Sequence, residues 1–344
     1  MTVYANKPAF NVREKLKELE KPSGVAGNAM LRAETPQEQF NLIGAGRRNL
    51  IINGGFDVWQ RGTSFISAGT GYAADRFRHL VYGGATPDIT KVAGFGDFRN
   101  AIRYTGVDGS AGAQIEVEHR IEATSLPQTG NLTLSYWVRG SKAGSVRTGR
   151  IINGSTGATN TGYGSIEVST EWSRVTVTVA TLSATEAQYY RLFVLDSLLS
   201  YMSDNSVWLE MTGIQLEAGS VATPFEHRSY GEELALCQRF YQKVGNGSAY
   251  TAFGIFNAET TGAATCAYVY SQEMRAAPSA SKGGAWQFFT GGITSSLNTF
   301  NGFNATKTTC RLEAAPFAAL TVGRSYILRC ENDANAFIAF DAEL

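Results

Sequence analysis

Two glutamates two residues apart, Glu116 and Glu118, form the sharpest acid–base pair in the chain. On one face of an extended strand an i, i+2 pair lies roughly 6.5–7 Å apart, near the spacing at which two carboxylates flank a glycosidic bond. Arg120 continues the same face, so the three residues also read as a solvated charge ladder of the kind that keeps a surface strand soluble and unpaired. Nucleophilic chemistry has less to build on. There are three histidines, His79, His119 and His227, and no serine in a Gly-x-Ser-x-Gly elbow. Cys237, Cys266, Cys310 and Cys330 are widely spaced, with no Cys-x-x-Cys pair and no histidine at ligand spacing. Buried reduced thiols are expected of them, not a zinc site or a disulfide pair. Gly44-Ala45-Gly46 begins like a dinucleotide loop but lacks the third glycine and precedes a strand. Glu331–Asn335 offers oxygens without the mid-loop glycine and closing glutamate of a calcium loop, and reads as a turn. No cofactor or metal is expected, and the chain reads as a non-enzyme.

Aromatic residues say more. A sugar binds in water when a flat ring covers the apolar C–H face of a pyranose and polar side chains take its hydroxyls. In the run 131–139, alternation puts Leu132, Leu134, Tyr136 and Val138 on an apolar face and Thr133, Ser135, Trp137 and Arg139 on a polar one. Trp137 with Arg139 therefore fits a glycan site, and Glu116, Glu118 and Arg120 are further candidate polar contacts. Trp59, Trp172 and Trp208 are assigned to the core.

Composition limits what must hold these residues in place. The chain has 344 residues, 43% hydrophobic and 11% aromatic, enough to fill real cores. Thirty Lys+Arg balance thirty Asp+Glu, so no field concentrates the protein on nucleic acid or an anionic bilayer. No window approaches the roughly 20 apolar residues of a membrane span, and the start lacks the apolar core of a signal peptide; synthesis in a cytoplasm is expected. A low charged fraction, 17%, with 37 Gly, 15 Tyr and 19 Phe points to turn-rich sheet.

Three regions follow. Residues 1–47 read as an arm of short helices: Asn11 and Glu14 make a capping box before the stripe Val12, Leu16, Leu19, and Thr35-Pro36-Gln37-Glu38 opens a second turn before Phe40. So short a stripe is marginal alone, and either packs on its own body or orders against a partner through Val12, Leu16, Leu19 and Phe40. Residues 48–228 alternate in strand-sized runs near 49–53, 77–82, 100–105, 114–122, 131–139, 146–152, 165–169, 173–180, 189–195 and 207–217, the count of a jelly-roll β-sandwich. Residues 229–344 open with the capping box Ser229–Glu232 and a helix in which Leu234, Cys237, Phe240, Tyr241 and Val244 keep helical spacing to Gly245. A smaller β domain follows, with runs at 249–256, 264–271, 285–290, 308–313, 325–331 and 335–341, its last strand built into a sheet or interface.

Asn49-Leu50-Ile51-Ile52-Asn53-Gly54, Trp59-Gln60-Arg61-Gly62 and Ala74-Asp75-Arg76-Phe77 together resemble a family of bacteriophage tail-fibre and virion-surface proteins. Ile214-Gln215-Leu216-Glu217-Ala218-Gly219, Thr223-Pro224-Phe225-Glu226-His227-Arg228, Cys237-Gln238-Arg239-Phe240-Tyr241 and the final Phe340-Asp341-Ala342-Glu343-Leu344 extend the similarity collinearly. Gly55, where the family often carries a polar residue, and Phe77, where tryptophan is common, depart from it as packing changes. The resemblance implies a jelly roll like those of carbohydrate-binding modules, behind a virion-attachment segment, in an assembly that is often trimeric. It supplies no catalytic motif. Asn53, Gln60, Arg61, Asp75 and Arg76 are expected to satisfy buried backbone groups and not to touch ligand. The expectation is a virion protein, a tail fibre or receptor-binding protein, that adsorbs to host surface glycans and docks on other virion proteins through its arm. The alternatives are a fibre, collar or head-decorating subunit that binds only virion proteins, and a depolymerase working through Glu116 and Glu118.

Overall fold

The computed structural model describes residues 48–106, 114–126, 130–157, 164–180, 189–196, 201–202, 206–245, 247–291, 293–316 and 318–344. The expected arm, with Val12, Leu16, Leu19 and Phe40, lies outside them. The described strands are β1 (Ser64–Phe65), β2 (Gly71–Tyr72), β3 (Phe77–Tyr82), β4 (Asp88–Ala93), β5 (Asn100–Thr105), β6 (Gln114–Glu122) and β7 (Asn131–Gly140). They continue with β8 (Gly144–Thr148), β9 (Arg150–Asn153), β10 (Gly164–Val168), β11 (Ser173–Ala180), β12 (Tyr189–Leu195) and β13 (Trp208–Ala218). Helix α1 (Tyr230–Gln238) precedes β14 (Tyr241–Gly245), β15 (Ala252–Ala258), β16 (Ala264–Val269), β17 (Ser279–Gly283) and β18 (Trp286–Thr290). The chain closes with β19 (Ile293–Phe303), β20 (Thr309–Pro316), β21 (Ser325–Cys330) and β22 (Phe337–Asp341).

Two antiparallel sheets make the mainly β sandwich. One has the order β1-β4-β5-β13-β7-β11, the other β2-β3-β6-β12-β9, and β8 pairs with β10 in a separate ribbon. Strict alternation builds the core between them. Leu132, Leu134, Tyr136 and Val138 of β7 meet Ile115, Val117 and Ile121 of β6 and Tyr190, Leu192 and Val194 of β12 in one buried cluster. Each fully buried aliphatic side chain there contributes roughly 1.5–3 kcal/mol relative to exposure. A second cluster fills the C-terminal part, where β15-β16-β20-β19-β18-β21 close into a barrel around Phe256, Phe288, Leu312 and Leu328. Beside it β22 is the central strand of a three-stranded sheet, between β14 and β17. Asn49–Leu344 forms one compact unit.

Several elements differ from what alternation suggests. Residues 49–53 are not a strand. The Asn49 side chain replaces the ladder: its Oδ1 accepts from Ile51 N and Leu216 N, and its Nδ2 donates to Ile214 O. The expected strand 146–152 breaks at Gly149, which has φ +81°, into β8 and β9. The capping box of α1 forms as expected, Ser229 Oγ accepting from Glu232 N and Glu232 Oε2 from Ser229 N. The helix stops at Gln238 and not at Val244, because Tyr241–Gly245 pair with Asp341–Phe337 as β14. Three of the four cysteines are buried free thiols; Cys266 is half-buried.

Candidate functional site

The outer face of the six-stranded sheet collects the aromatic and charged side chains that alternation turns away from the core. Across neighbouring strands Arg103 of β5 faces Glu210 of β13, which faces Arg139 of β7. One row along, Thr212 of β13 faces Trp137 of β7, which faces Arg174 of β11. A bulge in β13 then shifts the register between Thr212 and Gln215, so that both point outward while Ile214 enters the core. Gly213 makes the bulge possible. It sits at φ +64°, and a Cβ there would lie 2.4 Å from the Phe98 ring.

Two segments build walls on this face. The β4–β5 turn is closed by Gly94 N donating to Arg99 O and Phe98 N to Phe95 O, and it presents Phe95, Asp97 and Phe98. The segment after β13 is pinned by the buried Gln215 and Glu217: Glu226 N donates to Gln215 Oε1 at 2.8 Å, and Thr223 N donates to both Glu217 oxygens. It covers Thr133 and Ser135, which are therefore fully buried and not solvated. Arg174 donates to Ser135 Oγ at 3.3 Å and to Thr223 O, tying β11 to that segment.

Between the walls lies an open cavity of about 380 Å³ lined by Phe95, Phe98, Trp137, Arg174, Phe225 and His227, with Gly96, Asp97, Gly213 and Pro224. Phe95 lies 5.2 Å from Trp137 and stacks on Trp172 at 5.6 Å; Phe98, Phe225 and His227 form a cluster with centroids 4.9–5.4 Å apart. Trp137 is half-buried and Phe95 exposed, so apolar ring surface is offered to solvent. Beside the cavity Glu210, 1% exposed, is clamped by Arg103 Nε and Arg139 Nε, each at 2.7 Å. Arg103 lies over Trp208 at 4.6 Å, and Arg139 over Trp172 at 4.9 Å. Trp172 and Trp208 are therefore not core residues: they are half-buried on the outer face, held by arginine planes.

The acidic pair lies on the other sheet and is not solvated. Glu118 is fully buried and gripped by Arg78, Arg120 and Arg191 at 3.0, 2.9 and 2.6 Å. Burial alone would raise its carboxyl, but the charges of Arg120 and Arg191 prevail and hold it below the usual carboxylate range. Glu116 goes the other way. Burial pushes it up despite Arg150 at 3.1 Å, and Asp196, which shares that arginine at 2.5 Å, adds to the rise. The i, i+2 alternation was legible; the arginines that cover it came from β3, β9 and β12 and were not. The structure thus separates the five candidate residues into two faces, Trp137 and Arg139 on one, Glu116, Glu118 and Arg120 on the other. The cavity partners Phe95, Phe98, Arg174, Phe225 and His227 carry no sequence signal of their own, apart from the two aromatics flanking the turn Gly96-Asp97.

Asn53, Gln60 and Asp75, expected to satisfy buried groups, hold the chain together here. Asn53 donates from Nδ2 to Val58 O and Asp75 O and accepts from Val58 N. Gln60 Nε2 donates to Asp75 Oδ1 and Tyr241 O. Gly54 is required because any Cβ there would fall 2.1 Å from Ile214 O. Phe77 is buried against Phe56 and His119.

No family model matches the sequence, and no curated protein matches it. Among solved structures, TmCBM61 in complex with β-1,4-galactotriose is similar at TM-score 0.33 and 15% identity over 50% of this chain and 100% of that one. A family 11 carbohydrate-binding module from Clostridium thermocellum, in complex with a β-1,3-1,4-mixed-linked tetrasaccharide, gives 0.31 and 10% over 47% and 98%. The enzymatically active domain of bacteriophage CBA120 tailspike protein 4 gives 0.32 and 13%, over 50% of this chain and 21% of that one.

Proposed function

We propose that the chain binds glycans through the outer face of the six-stranded sheet, and does so as a bacteriophage virion protein, a tail fibre or receptor-binding protein, that adsorbs to host surface polysaccharide. One observation carries the binding reading: half-buried Trp137 and exposed Phe95 border an open cavity whose rim holds Asp97, Arg174 and His227, the pairing of flat apolar rings with polar groups that a pyranose needs. The virion reading rests on the collinear sequence resemblance, including the arm 1–47 as the attachment segment and a homotrimer as the assembly. A shallow site of this kind binds each sugar weakly, and copy number in a particle multiplies it.

The function is binding without turnover. A catalytic acid must hold and release a proton near neutral pH, and a nucleophile must present a free oxygen. Glu118 has both oxygens taken by guanidinium groups and its carboxyl held low, which supports an electrostatic and structural role. The test is retention of the purified full-length chain on host cells or their polysaccharide. Trp137→Ala is expected to weaken retention about tenfold, from roughly 1.5 kcal/mol of lost ring contact, with the fold retained and the melting temperature lowered by only a few degrees. No retention of either protein would replace this reading with a subunit that binds only virion proteins, and shortened polysaccharide chains after incubation would show a depolymerase.

A further inference from the structure

The row beside the cavity has more positive charge than it uses. Glu210 supplies one buried carboxylate to two guanidinium groups. Arg103 spends Nε and Nη2 on Oε1, at 2.7 and 2.5 Å, and Arg139 spends only Nε on Oε2. Among the described residues, no further acceptor takes the terminal amino groups of Arg139. Each arginine side chain remains about one third exposed, 34% and 33%. The indoles of Trp208 and Trp172 hold the guanidinium planes, so the outward donors are presented in a fixed orientation at little entropic cost. Arg174 adds a third cation at the cavity, bonded to Ser135 and Thr223 and, among the described residues, to no carboxylate.

We infer that this face selects acidic glycans: the Arg139 fork, supported by Arg103, takes the carboxylate of an acidic sugar while Trp137 covers the ring of its neighbour. This deepens the binding reading above and rests on it. The spacing agrees. Arg139 and Trp137 point outward from one strand roughly 6.5–7 Å apart, so one ligand can touch both. A planar guanidinium matches a planar carboxylate with two parallel hydrogen bonds, whereas a neutral hydroxymethyl group would leave the second donor and the surplus charge unanswered.

The experiment measures affinity of the full-length chain for polygalacturonate, alginate, hyaluronan and polysialic acid, each beside its carboxyl-reduced form, with dextran sulfate as a polyanion of different geometry. At least one acidic polymer is expected to bind tenfold or more tighter than its reduced partner, the scale of a charge-assisted contact. Arg139→Gln should erase that ratio, whereas Trp137→Ala should weaken both members alike. Equal binding of acidic and reduced forms, a preference that survives Arg139→Gln, or dextran sulfate binding above every carboxylate polymer overturns the inference and leaves glycan binding standing. Failure to bind any member of the panel, reduced or acidic, overturns both.

Discussion

Glu343 joins the C-terminal part of the chain to the sandwich through buried Arg76 and half-buried Arg61, and Glu343→Gln measures that join. Arg76, 1% exposed, has one guanidinium nitrogen on Glu343 Oε2 and another on Arg120 O, and lies 3.5 Å over the Phe240 ring. Arg61 Nη2 reaches Glu343 Oε1 at 3.2 Å and Asp341 at 3.6 Å, and its Nη1 keeps Asp75 at 3.8 Å. The amide keeps the shape of Glu343 and removes its charge. Arg61 retains counter-ions, but Arg76 is left with a carbonyl and a ring. Removing one partner of a buried pair costs about 3–5 kcal/mol, because the other charge stays buried without compensation. In a chain of this size that corresponds to a fall in melting temperature of roughly 4–7 °C, read by circular dichroism on the full-length protein. Replacing both partners, Arg76→Met with Glu343→Leu, should restore most of the loss, since apolar side chains of similar volume need no counter-ion. The backbone term cancels in that comparison: residue 76 sits at φ +70°, where methionine and arginine carry the same strain. A shift below about 2 °C for Glu343→Gln, or a double variant worse than the single, would refute the reasoning.

Two further perturbations test the sandwich. Burial pulls His79 down to about 4, so the fold holds it neutral while the unfolded chain binds a proton below about 6.5; stability is therefore lost as pH falls from 6.5 to 4. In urea titrations, the stability of the parent chain relative to His79→Gln should drop by about 3 kcal/mol between pH 7 and pH 4, and a constant difference would sink the argument. Gly213→Ala adds a Cβ into the Phe98 ring at a positive φ, and should destabilise by about 1–3 kcal/mol while weakening glycan retention, without deleting any cavity side chain. Unchanged retention would show that the Phe98 wall is not part of the site.

Alternation in β6, β7 and β12 placed the sandwich core correctly because both sheets bury one face, and the capping box at Ser229 fixed the start of α1. Strands lacking that signature escaped. β4 buries only Ile89, and β17, Ser-Ala-Ser-Lys-Gly, joins its sheet through backbone bonds to β22. The polar faces were harder still. Whether Thr133, Trp137 or Glu118 meets water depends on segments distant in sequence: the stretch after β13 covers the first, the β4–β5 turn edges the second, and arginines from β3 and β12 close over the third. Trp172 and Trp208 were misplaced for the same reason, since nothing local distinguishes an indole beneath a guanidinium from one inside a core. Gln215 and Gly213 belong to a bulge, whose extra residue reverses the face of everything after it.

The most direct measurement of the binding claim follows the five indole N–H resonances of the full-length chain while an acidic polysaccharide fragment is titrated in. The account predicts that Trp137, with Trp172 and Trp208 beside it, shifts in proportion to occupancy, whereas Trp286, buried at the barrel with its Nε1 donating to Gly283 O, stays fixed. Saturable shifts confined to Trp286 or Trp59, with Trp137 unmoved, would contradict it.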